Sequence, residues 1–102
     1  MLKHVVMWTL KKEAHGKNKE ENLTTMYDKL MALPAIIEEI REYEVGVNKS
    51  ERSSAFDIVL VSAFENETDL ETYRTHPQHL DVADFIKEVT KKTAVVDYDI
   101  KE

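Results

Sequence analysis

Ala55-Phe56-Asp57-Ile58-Val59-Leu60-Val61-Ser62-Ala63-Phe64 reads as the strongest strand of the chain, and it decides the fold. Side chains alternate across a strand, so Phe56, Ile58, Leu60, Ser62 and Phe64 share one face. Ala55, Asp57, Val59, Val61 and Ala63 share the other. A strand with water on one side needs only one apolar face. This one has two: a large-residue face suited to helices, and a small-residue face suited to close approach by a second layer, such as another subunit. Asp57 interrupts the second face, where it is expected to meet a basic residue or to lie near the open strand end.

The other elements assemble outward from that strand. Leu2–Leu10 repeats its character: Leu2, His4, Val6, Trp8 and Leu10 on one face, Lys3, Val5, Met7 and Thr9 on the other. Lys11–Lys19 reads as a polar, flexible connection. Asn18 and Glu21 have capping-box spacing and open a helix whose stripe is Leu23, Met26, Tyr27, Leu30 and Met31, ended by Pro34. Tyr43, Val45 and Val47 form a second strand, joined to the third through the polar loop Asn48–Ser54. Thr68 and Glu71 read as a second capping box, opening a short helix that carries Leu70 and Tyr73. Pro77 forces His76 out of helical dihedrals and starts a further helix to about Thr90, on which His79 shares the stripe of Val82, Phe85, Ile86 and Val89. Ala94–Ile100 is the last strand.

The order βαββαβ predicts one α+β domain over residues 1–102, a ferredoxin-like four-stranded antiparallel sheet with its helices on one face. Val5, Met7, Val59 and Val61 are then left on the opposite face, a patch of the kind that marks an interface. The expected partner is a second copy, stacked sheet to sheet into a dimeric α/β barrel. Composition narrows the remaining options. The chain has no cysteine, so disulfides, thiolate metal sites and cysteine nucleophiles are excluded. A net charge of −6 argues against a nucleic-acid surface. No apolar run approaches the roughly 20 residues that span a bilayer. No leader pattern precedes the first strand, so a cytoplasmic location is expected.

The residues that invite chemistry gather in Tyr73-Arg74-Thr75-His76-Pro77-Gln78-His79. An imidazole at His79, on an apolar helical face, is kept neutral by desolvation and is then able to accept a proton. The plain structural alternative is a core histidine satisfied by a backbone carbonyl or by Asp97. Tyr73 offers a hydrogen bond to a developing oxyanion, or simply anchors its helix. His76 reads as a cap at the helix joint. His4, Val6, Trp8, Ile58 and Leu60 are the expected lining of a ligand cavity between sheet and helices. A continuous cavity bounded by His4, Trp8, Tyr73 and His79 would favour binding or catalysis over a purely structural module. A pocket sealed by side chains, with His79 bonded to backbone, would rule out the enzymatic reading. Neither a metal nor a cofactor is expected: Pro77 breaks the register between His76 and His79, and no third ligand is clearly placed.

Leu2-Lys3-His4-Val5-Val6-Met7, Leu33-Pro34, Phe64-Glu65, Tyr73-x-x-His76-Pro77-x-His79 and Val96-Asp97-Tyr98 occur in that order along almost the whole chain. Together they resemble the stress-responsive A/B barrel domain (Dabb) family of the dimeric α+β barrel superfamily. The resemblance implies a ferredoxin-like fold and a homodimer with a central barrel. One plant branch of that family contains polyketide cyclases that use a tyrosine and a histidine between sheet and helices. Those roles would fall on Tyr73 and His79, with His4 lining the same cavity. The chain departs from the cyclases at Leu80-Asp81-Val82-Ala83-Asp84, where they are similar to a glycine-containing, apolar segment. The expected function is homodimeric binding of a small, apolar or carbonyl-containing molecule. The alternatives are a cofactor-free acid–base enzyme, cyclase- or isomerase-like, and a dimerisation module without a ligand.

Overall fold

A computed structural model describes residues 1–101. Its elements are β1 (Leu2–Leu10), β2 (Glu13–Ala14), β3 (Lys17–Asn18), α1 (Lys19–Met31), a 3₁₀ turn (Leu33–Ala35), β4 (Glu42–Val47), β5 (Ile58–Phe64), α2 (Glu67–Thr75), α3 (Pro77–Val89) and β6 (Thr90–Asp99). The long strands form one antiparallel sheet in the order β4-β5-β1-β6. This is the ferredoxin-like arrangement that the sequence predicts.

The inner face of the sheet packs on the helices. Leu2, Val6, Trp8 and Leu10 of β1 meet Ile58, Leu60 and Phe64 of β5, and Met26, Leu30, Leu70, Val82, Ile86 and Val89 close over them. The opposite, outer face carries Val5, Val59 and Val61, half-buried, and Met7, 37% exposed. Val96 and Tyr98 of β6 lie opposite Val5 and Lys3 and extend this uncovered surface.

Local chemistry sets the ends of the elements. Asn18 Oδ1 accepts from Glu21 N at 2.9 Å while Glu21 Oε1 accepts from Asn18 N at 3.1 Å, so the first capping box forms as expected. The second does not. Asn66 caps α2 by accepting from Asp69 N at 2.9 Å, and Thr68 lies inside the helix. Asn reaches the free amides of a first turn as readily as Thr does, and here it stands two positions earlier.

Residues 11–19 are not a flexible connection. β2 and β3 pair across His15 (φ 56°) and Gly16 (φ 71°), two consecutive left-handed residues of the kind that tight hairpins require. The buried Asn22 side chain on α1 fastens this hairpin by donating to the Ala14 carbonyl at 3.1 Å. Asn22 thereby takes a buried place on α1, and Met31, expected on the stripe, is exposed.

β5 begins at Ile58 rather than Ala55 because Asp57 has another task. Its carboxylate accepts from Leu10 N at 2.7 Å and pairs with Lys19 at 3.3 Å, tying the end of β1 to the start of α1. The basic partner expected for Asp57 is therefore Lys19. β6 starts four residues earlier than expected, at Thr90, because α3 passes directly into it with Thr90 as its C-cap.

Candidate functional site

Sheet register builds the floor of the site. Tyr43 lies opposite Ser62, Ser62 opposite His4, and His4 opposite Asp97. These residues form one polar row across all four long strands on the inner face. The next rows are mostly apolar: Val45, Leu60, Val6 and Val95, then Val47, Ile58, Trp8 and Thr93.

The helices supply the roof. Tyr73 points inward from α2 and is 0% exposed. Helix α2 stops at Thr75, and His76 takes extended dihedrals (φ −62°, ψ 134°) before Pro77 opens α3. His76 caps α3, its Nδ1 accepting from Gln78 N at 3.1 Å. The first turn of α3 then places His79 against Tyr73, with ring centroids 4.4 Å apart. Tyr73 also lies 6.3 Å from His4, 6.5 Å from Tyr43 and 5.1 Å from Phe64.

Hydrogen bonds define the state of each group. His4, 8% exposed, meets Asp97 through Nδ1–Oδ1 at 2.5 Å. His79 Nδ1 lies 2.9 Å from the Arg74 carbonyl. A carbonyl only accepts, so Nδ1 of His79 carries the proton and Nε2 of the neutral ring holds a lone pair. Among the described residues Nε2 has no hydrogen-bond partner. Burial lowers the His79 pKa below its ordinary value; the Arg74 carbonyl partly opposes this, and the positive charges of His4, Arg74 and His76 reinforce it. Both structural partners considered for His79 are thus in use at different histidines: the carbonyl serves His79, and Asp97 serves His4.

The Tyr43 and Tyr73 hydroxyls are buried and have no partner at hydrogen-bonding geometry. The two hydroxyls nevertheless lie near enough to each other for a weak, poorly aligned hydroxyl–hydroxyl hydrogen bond. Burial is the largest cause of a raised pKa at each, so both remain protonated donors. Ser62 differs in that its hydroxyl donates to the His4 carbonyl at 3.2 Å.

The structure therefore brings His4, Tyr73 and His79 together and adds Tyr43, which the sequence reading passed over as an ordinary strand residue. Val6, Trp8, Ile58 and Leu60 share the inner face with His4 but fill the apolar rows. Trp8 stands four strand residues from His4, roughly 13 Å at about 3.3 Å per residue. Four surface cavities flank the fold, and none of the four is lined by His4, Trp8, Tyr73 or His79, so the continuous cavity expected between these residues is not among them. One of about 380 Å³ does lie between helix and sheet, lined by Glu20, Leu23, Thr24, Tyr27 and Val47. Another, of about 320 Å³, reaches Asp97 and Arg74 from the α2–β6 side. Among the described residues no three His, Asp or Glu side chains come together as a metal-ligand set, and no helix is long and apolar enough to cross a membrane.

The family model for the stress responsive A/B barrel domain matches residues 2–100. The chain belongs to the Dabb family. A dimeric protein of ferredoxin-like fold and unknown function from Bacteroides fragilis is 34% identical, with a TM-score of 0.81 over 97% of this chain and 95% of that one. A Dabb family protein from Mesorhizobium loti is 19% identical, with a TM-score of 0.78 over 99% and 97% of the two chains. Hydroxynitrile lyase from Passiflora edulis shares the fold at 19% identity, with a TM-score of 0.80 over 99% and 94%. No curated protein matches the chain. The same fold is thus found in a hydroxynitrile lyase and in a dimeric protein of unknown function.

Proposed function

We propose that this Dabb protein is a homodimer that binds a small carbonyl-containing molecule at the His4–Tyr73–His79 cluster. The observation that carries the reading is the pairing of complementary groups. The Tyr73 hydroxyl is a buried donor without an acceptor, beside a neutral His79 whose Nε2 is an acceptor without a donor. Buried polar groups are nearly always satisfied, so a buried donor without a well-aligned acceptor beside an available acceptor supports the binding of a ligand that pairs with both. A carbonyl oxygen suits the tyrosine; an adjacent hydroxyl or acidic C–H suits the histidine. Val6 and Leu60 supply apolar surface beside the polar row. Tyr73 is fully buried, so binding at its hydroxyl requires the helix layer above the polar row to open.

The dimer rests on the outer face. The relatives from Bacteroides fragilis and Thermobifida fusca are described as dimeric, and Val5, Met7, Val59, Val61 and Val96 offer a second copy a continuous apolar surface.

A ketone probe tests the binding reading. Titration of 2-heptanone, followed by NMR, is expected to shift the His79 imidazole resonances saturably, and Tyr73→Phe is expected to weaken binding by about five- to tenfold, the loss of one neutral hydrogen bond. Absence of saturable binding, or equal affinity in the variant, overturns the reading.

The fixed tautomer of His79 favours a second, catalytic reading. Nε2 would take the proton from the carbon beside the carbonyl, the C–H electron pair would form the enolate C=C bond as the carbonyl π pair moves to oxygen, and Tyr73 would donate to that oxyanion. Return of the proton from the imidazolium would complete an isomerisation or open a cyclisation. The backbone bond to Nδ1 and the closed interior are the arrangement expected to count against catalysis, and the catalytic reading rests only on the lone pair left at Nε2. Deuterium exchange at the α-carbon of 2-heptanone should be accelerated by the wild type and fall to the background rate in His79→Ala. An equal rate in that variant would eliminate His79 as the base.

A further inference from the structure

We infer that Tyr43 is the second half of a two-donor clamp, so that one ligand oxygen accepts hydrogen bonds from Tyr43 on the sheet and Tyr73 on the helix layer at once. The inference rests on the carbonyl-binding reading and adds to it a residue from the opposite layer.

Three observations converge. Both hydroxyls are buried and neither makes a well-aligned hydrogen bond, although each lies near enough to the other for a weak hydroxyl–hydroxyl contact that a ligand oxygen could replace; Ser62, His4 and Asn22 by contrast have well-formed partners. The two rings approach edge-on, with centroids 6.5 Å apart and planes at 66°, from β4 below and α2 above. Tyr43 also ends the polar row that runs through Ser62 and His4 to Asp97, so it faces the same space as the histidines. Two phenols that only filled space would be served as well by phenylalanine, because a buried hydroxyl without a partner costs roughly 1–3 kcal/mol. Two neighbouring donors instead match a carbonyl or enolate oxygen, whose lone pairs accept both. The oxygen of an alcohol uses one of its positions as a donor and fits less well. With His79 Nε2 alongside, the arrangement selects a ligand in which a carbonyl oxygen lies next to a proton-bearing atom.

Tyr43→Phe tests the clamp. In the titration with 2-heptanone, Tyr43→Phe and Tyr73→Phe should each weaken binding by about five- to tenfold. The infrared carbonyl stretch of bound ¹³C-labelled ketone should move toward its free position in either variant, and further in the double variant. Thermal stability without ligand should be unchanged or higher in Tyr43→Phe, because an orphaned hydroxyl is removed. If Tyr73→Phe weakens binding and Tyr43→Phe leaves both affinity and carbonyl frequency at wild-type values, the clamp is wrong and the carbonyl-binding reading survives. If Tyr43→Phe lowers the melting temperature without affecting binding, the hydroxyl serves a structural bond such as that to Tyr73 and the clamp is wrong. If the wild type does not bind the ketone, both fall together.

Discussion

The two faces of the sheet are built from the same alternating strands and meet different fates. On the inner face, Leu60, Val6 and Ile58 are covered by this chain's own helices and are almost wholly buried. On the outer face, Val59 and Val61 of the same strand have no cover, and Met7 is 37% exposed. The inner face is also the one that tolerates polarity: the row Tyr43–Ser62–His4–Asp97 crosses it beneath Tyr73 and His79. Tyr73 packs its ring against His4 and Tyr43 of that row, whereas the two central strands present Val5, Met7, Val59 and Val61 on the outer face. Chemistry is thus confined to the side where the fold supplies a second layer, and association to the side where it does not.

Breaking the outer face should produce the largest effect. Val59→Lys places a charge in the middle of the proposed interface and should convert the dimer to monomer or aggregate by size-exclusion chromatography with light scattering. A dimer that persists unchanged would mean the copies meet elsewhere. On the inner face, Leu60→Ala should cost about 2–5 kcal/mol in denaturant unfolding, since it leaves a cavity under helices that cannot collapse freely. A loss below 1 kcal/mol would mean the inner layer is more compliant than its burial implies.

The smallest effect sharpens the comparison within the inner face. Burial holds the pKa of folded His79 below 6.5, so the unfolded chain takes up its proton first as the pH falls. The stability associated with neutral His79 is therefore complete above about 6.5 and is lost as the pH drops toward the folded-state value. His4, Arg74 and His76, the charged neighbours that lower this pKa, act in the same direction. Wild type should lose more stability between pH 7 and pH 5 than His79→Gln does, as read by urea denaturation at each pH. Parallel curves would show that His79 is as solvated as in the unfolded chain.

Much of the architecture was legible because it depends on neighbours in sequence. Strand alternation, the Asn18–Glu21 capping box and the break at Pro77 all act over a few residues. Errors arose where two local solutions were chemically equivalent. Asn66 and Thr68 both make caps, and only the packed position of α2 selects Asn66. His15-Gly16 is an unusual hairpin turn, because His rarely takes positive φ, and it is fixed from outside by Asn22. Tyr43 was invisible as a site residue because nothing near it in sequence is polar on the same face.

By itself, the sequence determined the element order, the two-sided apolar character of β1 and β5, and the pair Tyr73 and His79 on either side of a proline. Tertiary structure alone decided that Asp97 serves His4 while a backbone carbonyl serves His79, and that Tyr43 faces Tyr73. The physical reason is register. Residues 4, 43, 62 and 97 become neighbours only when antiparallel strands pair across long loops, and a slip of one residue would turn every one of those side chains to the other face.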